Sequence, residues 1–371
     1  MNEKEQLILQ LIKENPFISQ IEIAEITELS RSAVAGYIST LTKAGKLLGR
    51  GYVLPNKKDI LCIGGSNVDR KIQVLNSLQY GTSNPAESTQ SCGGVARNIA
   101  ENLGRLGTDV ALMTIVGKDN EGEWLLESIK SFVDISPSQV SAEMATGTYT
   151  AILDTNGEMA LALADMSIYD TVNTDFIEKK WGYAAAAEMV VMDTNFPADV
   201  LSQVITRCHE ENIPLCITPV SAPKISKLPV NLHGVTWLIA NQGEAEALSG
   251  IKIMEDEDIY KVAEKIGHKG VERVVITQGD KGLMYYTKAE SGIILPPKIK
   301  VEDVTGAGDS LVAGIMFAFL QGLGTEEACK VGMACSLLTL QSHETVHPNL
   351  NEIRLQEIYN QYFEKGDEQK C

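Results

Sequence analysis

The chain has 371 residues, length enough for two or three domains, and 44% of them are hydrophobic, enough to build a sizeable core. It contains no run of about 18 apolar residues, and its N-terminus, MNEKEQLILQ, alternates charged and apolar residues, so no membrane span or signal peptide is expected and a cytoplasmic location is. The net charge of −17 is unevenly spread: residues 1–58 carry eight Lys and Arg against six Asp and Glu, and the strongly acidic remainder argues against nucleic-acid binding by the larger part.

The seven cysteines form no C-x-x-C pair and read as thiols of a reducing compartment. From the N-terminus, EKEQLILQLIKEN places Leu7, Ile8, Leu11 and Ile12 on one helical face. SQIEIAEITEL opens with Ser19 and carries Glu22 three positions later, a capping box. A third helix starts at Ser30, with Val34, Ile38 and Leu41 as its apolar stripe. LLGRGYVLP then reads as two short strands around Gly49–Gly51. Three helices and a wing within residues 1–55 resemble the winged helix-turn-helix domains of transcription regulators. The third helix would be the reading helix, offering Arg31, Ser32, Tyr37 and Ser39 to base edges, with Lys43, Lys46 and Arg50 for DNA phosphates. A small helical interaction module is the alternative, because an excess of two positive charges is a weak footprint for DNA.

PNKKD, residues 55–59, reads as a linker, and a second domain is expected over 59–365. Apolar runs ILCIGG, VALMTIVG, MVVMDTN, LCITPV, VTWLIAN and RVVITQG alternate there with helix-length segments. That pattern predicts an α/β domain, a mostly parallel sheet covered on both faces. TYTAILDTNGEMALALADM, residues 148–166, is two runs joined by Asn156–Gly157 and predicts a hairpin that projects as a lid.

VEDVTGAGDS, residues 301–310, carries the chemistry. Gly306, Ala307 and Gly308 let backbone N–H groups converge, and the helix that follows adds its positive end, which together make an anion site. An acid there, Asp309, suits a general base more than an anion binder. The combination suggests phosphoryl transfer. No G-x-x-x-x-G-K-[ST], H-R-D, D-F-G or strand-following G-x-G-x-x-G occurs, so P-loop, protein-kinase and Rossmann nucleotide sites are excluded.

DVTGAGDS is similar to the C-terminal signature of the ribokinase-like (PfkB) sugar and nucleoside kinases. CGGVARNIAENLGRLG (92–107) resembles their N-terminal signature, NQGE (241–244) their N-x-x-E motif and TQGDKG (277–282) their nucleotide loop, all in the family's order over roughly residues 58–345. The resemblance implies a ribokinase-like three-layer α/β/α domain with a small β lid, here preceded by a mainly α winged helix-turn-helix domain. It implies ATP and Mg²⁺ as cofactors. Asp309 would take the proton of the attacking hydroxyl, and the backbone of Gly306, Ala307 and Gly308 would hold the moving phosphoryl. Asn241 and Glu244 would organise Mg²⁺ and the ATP phosphates, partly through water. Thr277, Gly279 and Gly282 would line the nucleotide. Asp69, Gly93, Gly94 and Asn98 would hold sugar hydroxyls, and Asp303 and Thr305 would sit where many members bind a monovalent cation such as K⁺. Members often dimerise through the lid, so a homodimer is expected, and the apolar MALALA run suits it. The site chemistry agrees: Asp69 with Asn98 offers a sugar diol both acceptors and donors, Gly93–Gly94 admits a ligand close to the backbone, and one Glu with an Asn suits a water-rich Mg²⁺.

Within the family, YGTSNPAES, GGVARNIAENL with Arg97 before Asn98, and ALADMSIYD resemble the pseudouridine kinases. TPVSAPK (218–224) departs, with Thr218 where those kinases carry Asp; Lys224 reaches toward phosphates or is simply solvated. The expected reaction is ATP with pseudouridine giving ADP and pseudouridine 5′-phosphate, with another sugar or nucleoside as alternative substrate. Asn67, Thr148 and Asp165 are placed by position alone as readers of the base. A transcription regulator that uses the kinase fold as a ligand sensor is the competing class, disfavoured because Asp309 and its glycines are retained.

Overall fold

The computed structural model describes residues 2–15, 18–48 and 58–364. The N-terminal unit comprises α1 (Glu3–Glu14), α2 (Gln20–Thr27) and α3 (Arg31–Lys43). The capping box expected of Ser19 and Glu22 forms, each side chain accepting from the other residue's backbone N–H. Ile8, Ile12, Ile23, Val34, Leu41 and Leu47 close a small core of their own. Leu7 lies outside it, 38% exposed, and Leu9 takes a buried place that the helical spacing had not assigned. Tyr37 is partly buried against this core, whereas Arg31, Ser32, Ala35, Gly36, Ser39 and Lys43 are exposed. The two strands expected around Gly49–Gly51, and Arg50, fall outside the described residues.

The larger unit begins with β1 (Lys58–Ile63), β2 (Asn67–Val74), β3 (Ala86–Gly93), α4 (Val95–Arg105), β4 (Val110–Met113), β5 (Ile115–Gly117), α5 (Asn120–Ile129), β6 (Val133–Asp134) and β7 (Gln139–Ser141). The lid strands β8 (Thr148–Leu153) and β9 (Met159–Asp165) follow, then a 3-10 turn at Ser167–Thr171, α6 (Thr174–Ala186) and β10 (Ala187–Asp193). Next come α7 (Ala198–Glu211), β11 (Leu215–Thr218), β12 (Trp237–Asn241), α8 (Gln242–Ser249), α9 (Asp258–Gly267), β13 (Arg273–Thr277), β14 (Leu283–Thr287) and β15 (Ser291–Ile294). Three α-helices follow, α10 (Ala307–Leu320), α11 (Thr325–Thr339) and α12 (Glu352–Tyr359), and a π-helical turn at Asn360–Glu364 ends the described residues.

The main sheet has nine strands in the order β15-β14-β13-β12-β11-β10-β1-β4-β6, parallel from β13 to β6 with β14 and β15 antiparallel at one edge. The alternation along β1 and β10 explains why these strands read as unbroken apolar runs. Leu61, Ile63, Val190 and Met192 join the core under α6, α7 and α9. Ile60, Cys62, Met189 and Val191 join the core under α4, α10 and α11. A strand buried on both faces has no polar side to display.

Two expectations are corrected. VALMTIVG splits at the buried Thr114 into β4, in the main sheet, and β5, which pairs with β7 in a separate ribbon. The lid is a sheet of four strands in the order β3-β2-β8-β9, of which only the β8–β9 hairpin was expected. Its turn is a three-residue loop, 155–157: Asp154 accepts from the backbone N–H of Asn156 and Glu158, and Gly157 takes φ +81°. Of the joining pair, Gly157 is therefore the residue that the turn requires.

Candidate active site

The polar residues gather at the carboxyl ends of the parallel strands, where an open α/β sheet leaves a crevice. Two glycine pairs build its floor. Gly64–Gly65 follows β1, and Gly93–Gly94 joins β3 to α4. Gly94 has φ +102°, and a Cβ there would lie 2.5 Å from the Gly65 carbonyl oxygen. The buried Asp193, at the end of β10, pins the two turns together by accepting from the backbone N–H of Gly65 (2.8 Å) and Ala96 (3.1 Å) and from Asn195. Asp193 carried no expected role; its signal was an acid closing an apolar strand. Tyr169, from the turn after the lid, donates to the Ser66 carbonyl and accepts from the Ser66 N–H, tying the lid's end to this floor.

Asp69 rises from the floor on β2. It accepts from Asn67 Nδ2 at 2.7 Å, and burial lifts its pKa to about 6. Gly93 leaves the room Asp69 needs: a Cβ there would fall 2.2 Å from its carboxylate. Thr148 and Asp165 face each other across β8 and β9, and Thr148 is level with Val68, so both stand at the end of the lid that bears Asn67 and Asp69. Asp165 bonds to Ser167.

Asp309 occupies the first turn of α10, after Gly306 in the left-handed region at φ +79°. Asn98, from the first turn of α4, donates its amide to Asp309 Oδ2 at 2.9 Å. Burial pushes the Asp309 carboxyl up to about 7; the Asn98 bond opposes the rise, Asp193 and Asp69 add to it, and Arg97 offsets part of it. On the other side of the same loop lies a cavity of about 750 Å³, lined by Ala307 and Gly308 together with Thr277, Gly279 and Gly282 and walled by apolar groups including Val304, Met333 and Leu337. A Cβ on Gly308 would meet nothing within 4 Å, so this glycine faces open space. The GAGD loop thus separates a large cavity from the floor that carries Asp69 and Asn98.

Asn241 and Glu244 form a reciprocal capping box at the start of α8, and neither lines that cavity. Glu244 is only 4% exposed, and burial raises its carboxyl to about 7. Among the described residues no group of three or more His, Cys, Asp or Glu is arranged to hold a metal ion. A lone buried carboxylate beside an amide fits Mg²⁺, which keeps its waters and is held chiefly by phosphates. Asp303 and Thr305 come together as expected, but Asp303 Oδ1 is taken by Thr305 and Oδ2 by the Lys71 ammonium at 2.9 Å. These contacts hold the Asp303 carboxyl at about 2. With that charge already balanced by Lys71, the pair does not fit a monovalent cation.

Thr218 is buried at the end of β11, level with Asp193 on the adjacent strand, where a second carboxylate would repel the first. Lys224 is not simply solvated: its ammonium turns inward to Asn195 Oδ1, and burial lowers its pKa. The Cys92 thiol donates to Ser128 Oγ, and burial raises its pKa.

The model of the pfkB family carbohydrate kinases matches residues 57–352. The chain belongs to that family. The model of the winged helix-turn-helix DNA-binding domains matches residues 1–47. The kinase unit is similar to the pseudouridine kinase of Escherichia coli strain K12, 33% identical over 80% of this chain and 94% of that protein. The uncharacterized sugar kinase YeiI of the same organism is 30% identical over 95% of this chain and 97% of its own length. Among solved structures, a putative sugar kinase from Clostridium perfringens is 32% identical with a TM-score of 0.72, covering 83% of this chain and 97% of that one. A ribokinase from Arabidopsis thaliana complexed with ribose and ATP shares the fold, with a TM-score of 0.72 at 19% identity over 81% of this chain and 98% of that one. Kinase membership accounts for a fold with a lid, a nucleotide-sized cavity and an acid at a helix N-terminus.

Proposed function

We propose that this kinase transfers the γ-phosphoryl group of ATP to the 5′-hydroxyl of pseudouridine. The observation that carries the phosphotransfer chemistry is the two-sided GAGD loop, with Gly308 open to the large cavity and Asp309 bonded to Asn98 on the floor opposite. ATP fits the cavity, its phosphates approaching the backbone N–H groups at the start of α10, where the helix dipole favours negative charge. Mg²⁺, held through water near Glu244, would neutralise phosphate charge. Asp69 and Asn98 hold the ribose hydroxyls, and Asp309 accepts the proton of the 5′-hydroxyl as that oxygen attacks phosphorus. A carboxyl titrating near 7 is matched to that exchange.

The choice of pseudouridine rests on the E. coli pseudouridine kinase as a relative and on GGVARNIAENL and ALADMSIYD. The lid end bearing Thr148 and Asp165 would meet the base. Its test is ATP consumption with pseudouridine, uridine, guanosine, ribose and fructose in turn. Pseudouridine is expected to give the highest kcat/KM; a higher value with another acceptor overturns the substrate, and no turnover with any overturns the kinase reading for this panel.

Residues 1–55 are proposed to bind DNA as a second activity, the exposed Arg31, Ser32, Ser39 and Lys43 of α3 meeting the duplex. The measurement is binding of the full chain to duplex DNA across a salt series. A Lys43→Ala variant is expected to weaken binding to all sequences alike and to flatten the salt slope by about one.

A further inference from the structure

Arg97 is 3% exposed on α4, directly before Asn98. Its Nη1 donates to Asn98 Oδ1 at 3.0 Å, and its Nη2 reaches Ser128 Oγ at 3.2 Å and Glu101 Oε2 at 2.6 Å. Glu101 is held in turn by Arg105 Nη2 at 2.7 Å. The guanidinium is therefore clamped from α4 itself and from α5, and it lies behind the carboxamide that touches Asp309.

The chemistry of the two groups makes this contact directional. A guanidinium has five donors and no acceptor, and a carboxamide has one oxygen and one NH₂. Facing Arg97, Asn98 can present only its oxygen. Its NH₂ is then turned the other way, where Asp309 Oδ2 receives it at 2.9 Å. A flipped amide would set N–H against guanidinium and oxygen against carboxylate, unfavourable at both ends. Among the described residues Asp309 Oδ1 accepts no hydrogen bond, so it is the oxygen left for an incoming hydroxyl.

We propose that Arg97 is a positioning residue: it locks the Asn98 carboxamide so that the amide engages one oxygen of Asp309 and leaves the other to the acceptor hydroxyl. The inference rests on Asp309 being the base. Among the described residues, the charged groups that act on Asp309 are Asp193 from β10, Asp69 from β2 and Arg97 from α4. Arg97 is the cation among them, so its loss both frees the amide and removes the charge that offsets two carboxylates.

The test uses the full chain. Isotope-edited infrared titration of the aspartate carboxyls, with Asp309→Asn identifying the band, follows Asp309 without any substrate. Arg97→Met is expected to move that titration to higher pH. With the best acceptor it is expected to lower kcat roughly 10- to 100-fold while KM for ATP changes less than about threefold. Arg97→Lys, which still offers a donor and no acceptor to Asn98, should recover most of both effects. Arg97→Met leaves Glu101 short of one buried partner, so Arg97→Met/Glu101→Gln is measured alongside to separate folding from positioning. Folded variants in which the Asp309 titration stays at its wild-type midpoint overturn the inference, as does an Arg97→Lys variant indistinguishable from Arg97→Met. An Asp309→Asn variant that keeps full turnover would instead overturn the base, and the infrared titration still decides whether Arg97 governs the Asp309 carboxyl.

Discussion

Asp309 sits at a cost to the fold. Its carboxyl is raised from 3.8 to about 7, so the folded state holds its proton over a pH range where the unfolded chain has released it. Between about pH 4 and 7 the folded state binds more protons, and stability falls as pH rises; above about 7 the penalty is constant. Asp309→Asn is therefore expected to raise the melting temperature at pH 8, by on the order of 1–3 kcal/mol of stability, while lowering turnover by roughly three to five orders of magnitude. Calorimetry and an ATP-consumption assay on the same preparation check both signs. With Asp309 as the proposed base, kcat/KM should climb with pH through an apparent pKa of about 7 in the free enzyme and level off above it. A limb that lay near 4 would remove Asp309 as the base. At this scale the sequence was legible where a motif names a residue, as for Asp309, Asn98 and Asp69. It was silent on Asp193, Tyr169 and the Lys71 partner of Asp303, because each acts through a contact more than 100 positions away in the chain.

Among the elements, the entry to α10 separates two glycines that look alike in the sequence. A Cβ on Gly306 would sit 2.0 Å from the Thr345 carbonyl oxygen, and its φ of +79° disfavours any side chain. Gly306→Ala should unfold or strongly destabilise the chain, by more than about 2 kcal/mol in denaturant melts. Gly308→Ala meets no atom, so its melt should stay within about 0.5 kcal/mol of wild type, or gain from helix propensity. Its methyl enters the cavity proposed to hold the ATP phosphates, and kcat should fall at least roughly tenfold. A Gly308→Ala enzyme with normal turnover would separate that loop from the phosphoryl group. The parallel strands were readable because burial on both faces makes them continuously apolar. β3, AESTQSCG, was not: most of its residues are exposed, and it has no apolar side to alternate. Its place in the lid is fixed by register with β2, which no local pattern encodes. β9 is exposed along its whole length yet was found, because Asn156–Gly157 marks its turn.

Across the whole molecule, the N-terminal helices keep a core separate from those of the kinase unit. They meet it through the turn after α3: Gly45, buried at φ +65°, lies against Gly182 and Ala185 of α6, and Leu48 packs near Gly182. Separate cores predict that deleting residues 1–55 leaves kcat/KM within about twofold of the full chain. A larger loss would show that the α3–α6 contact holds the site together. α6 runs from the turn carrying Tyr169 to the strand ending in Asp193, so that contact is one helix away from the floor built by the two glycine pairs.

The lid strands bracket the first third of the kinase unit. β2 is complete by residue 74, but its parallel partner β8 begins only at residue 148, with α4, α5 and five strands, β3 to β7, between them. Such pairing is slow, since the intervening chain must be ordered before it is rewarded. On a ribosome the three N-terminal helices can close as soon as they emerge, while β2 waits with one edge open until residue 153, the end of β8, has been made. A chaperone that protects newly made chains would find its natural window in that interval, before the lid has a second half to pair with.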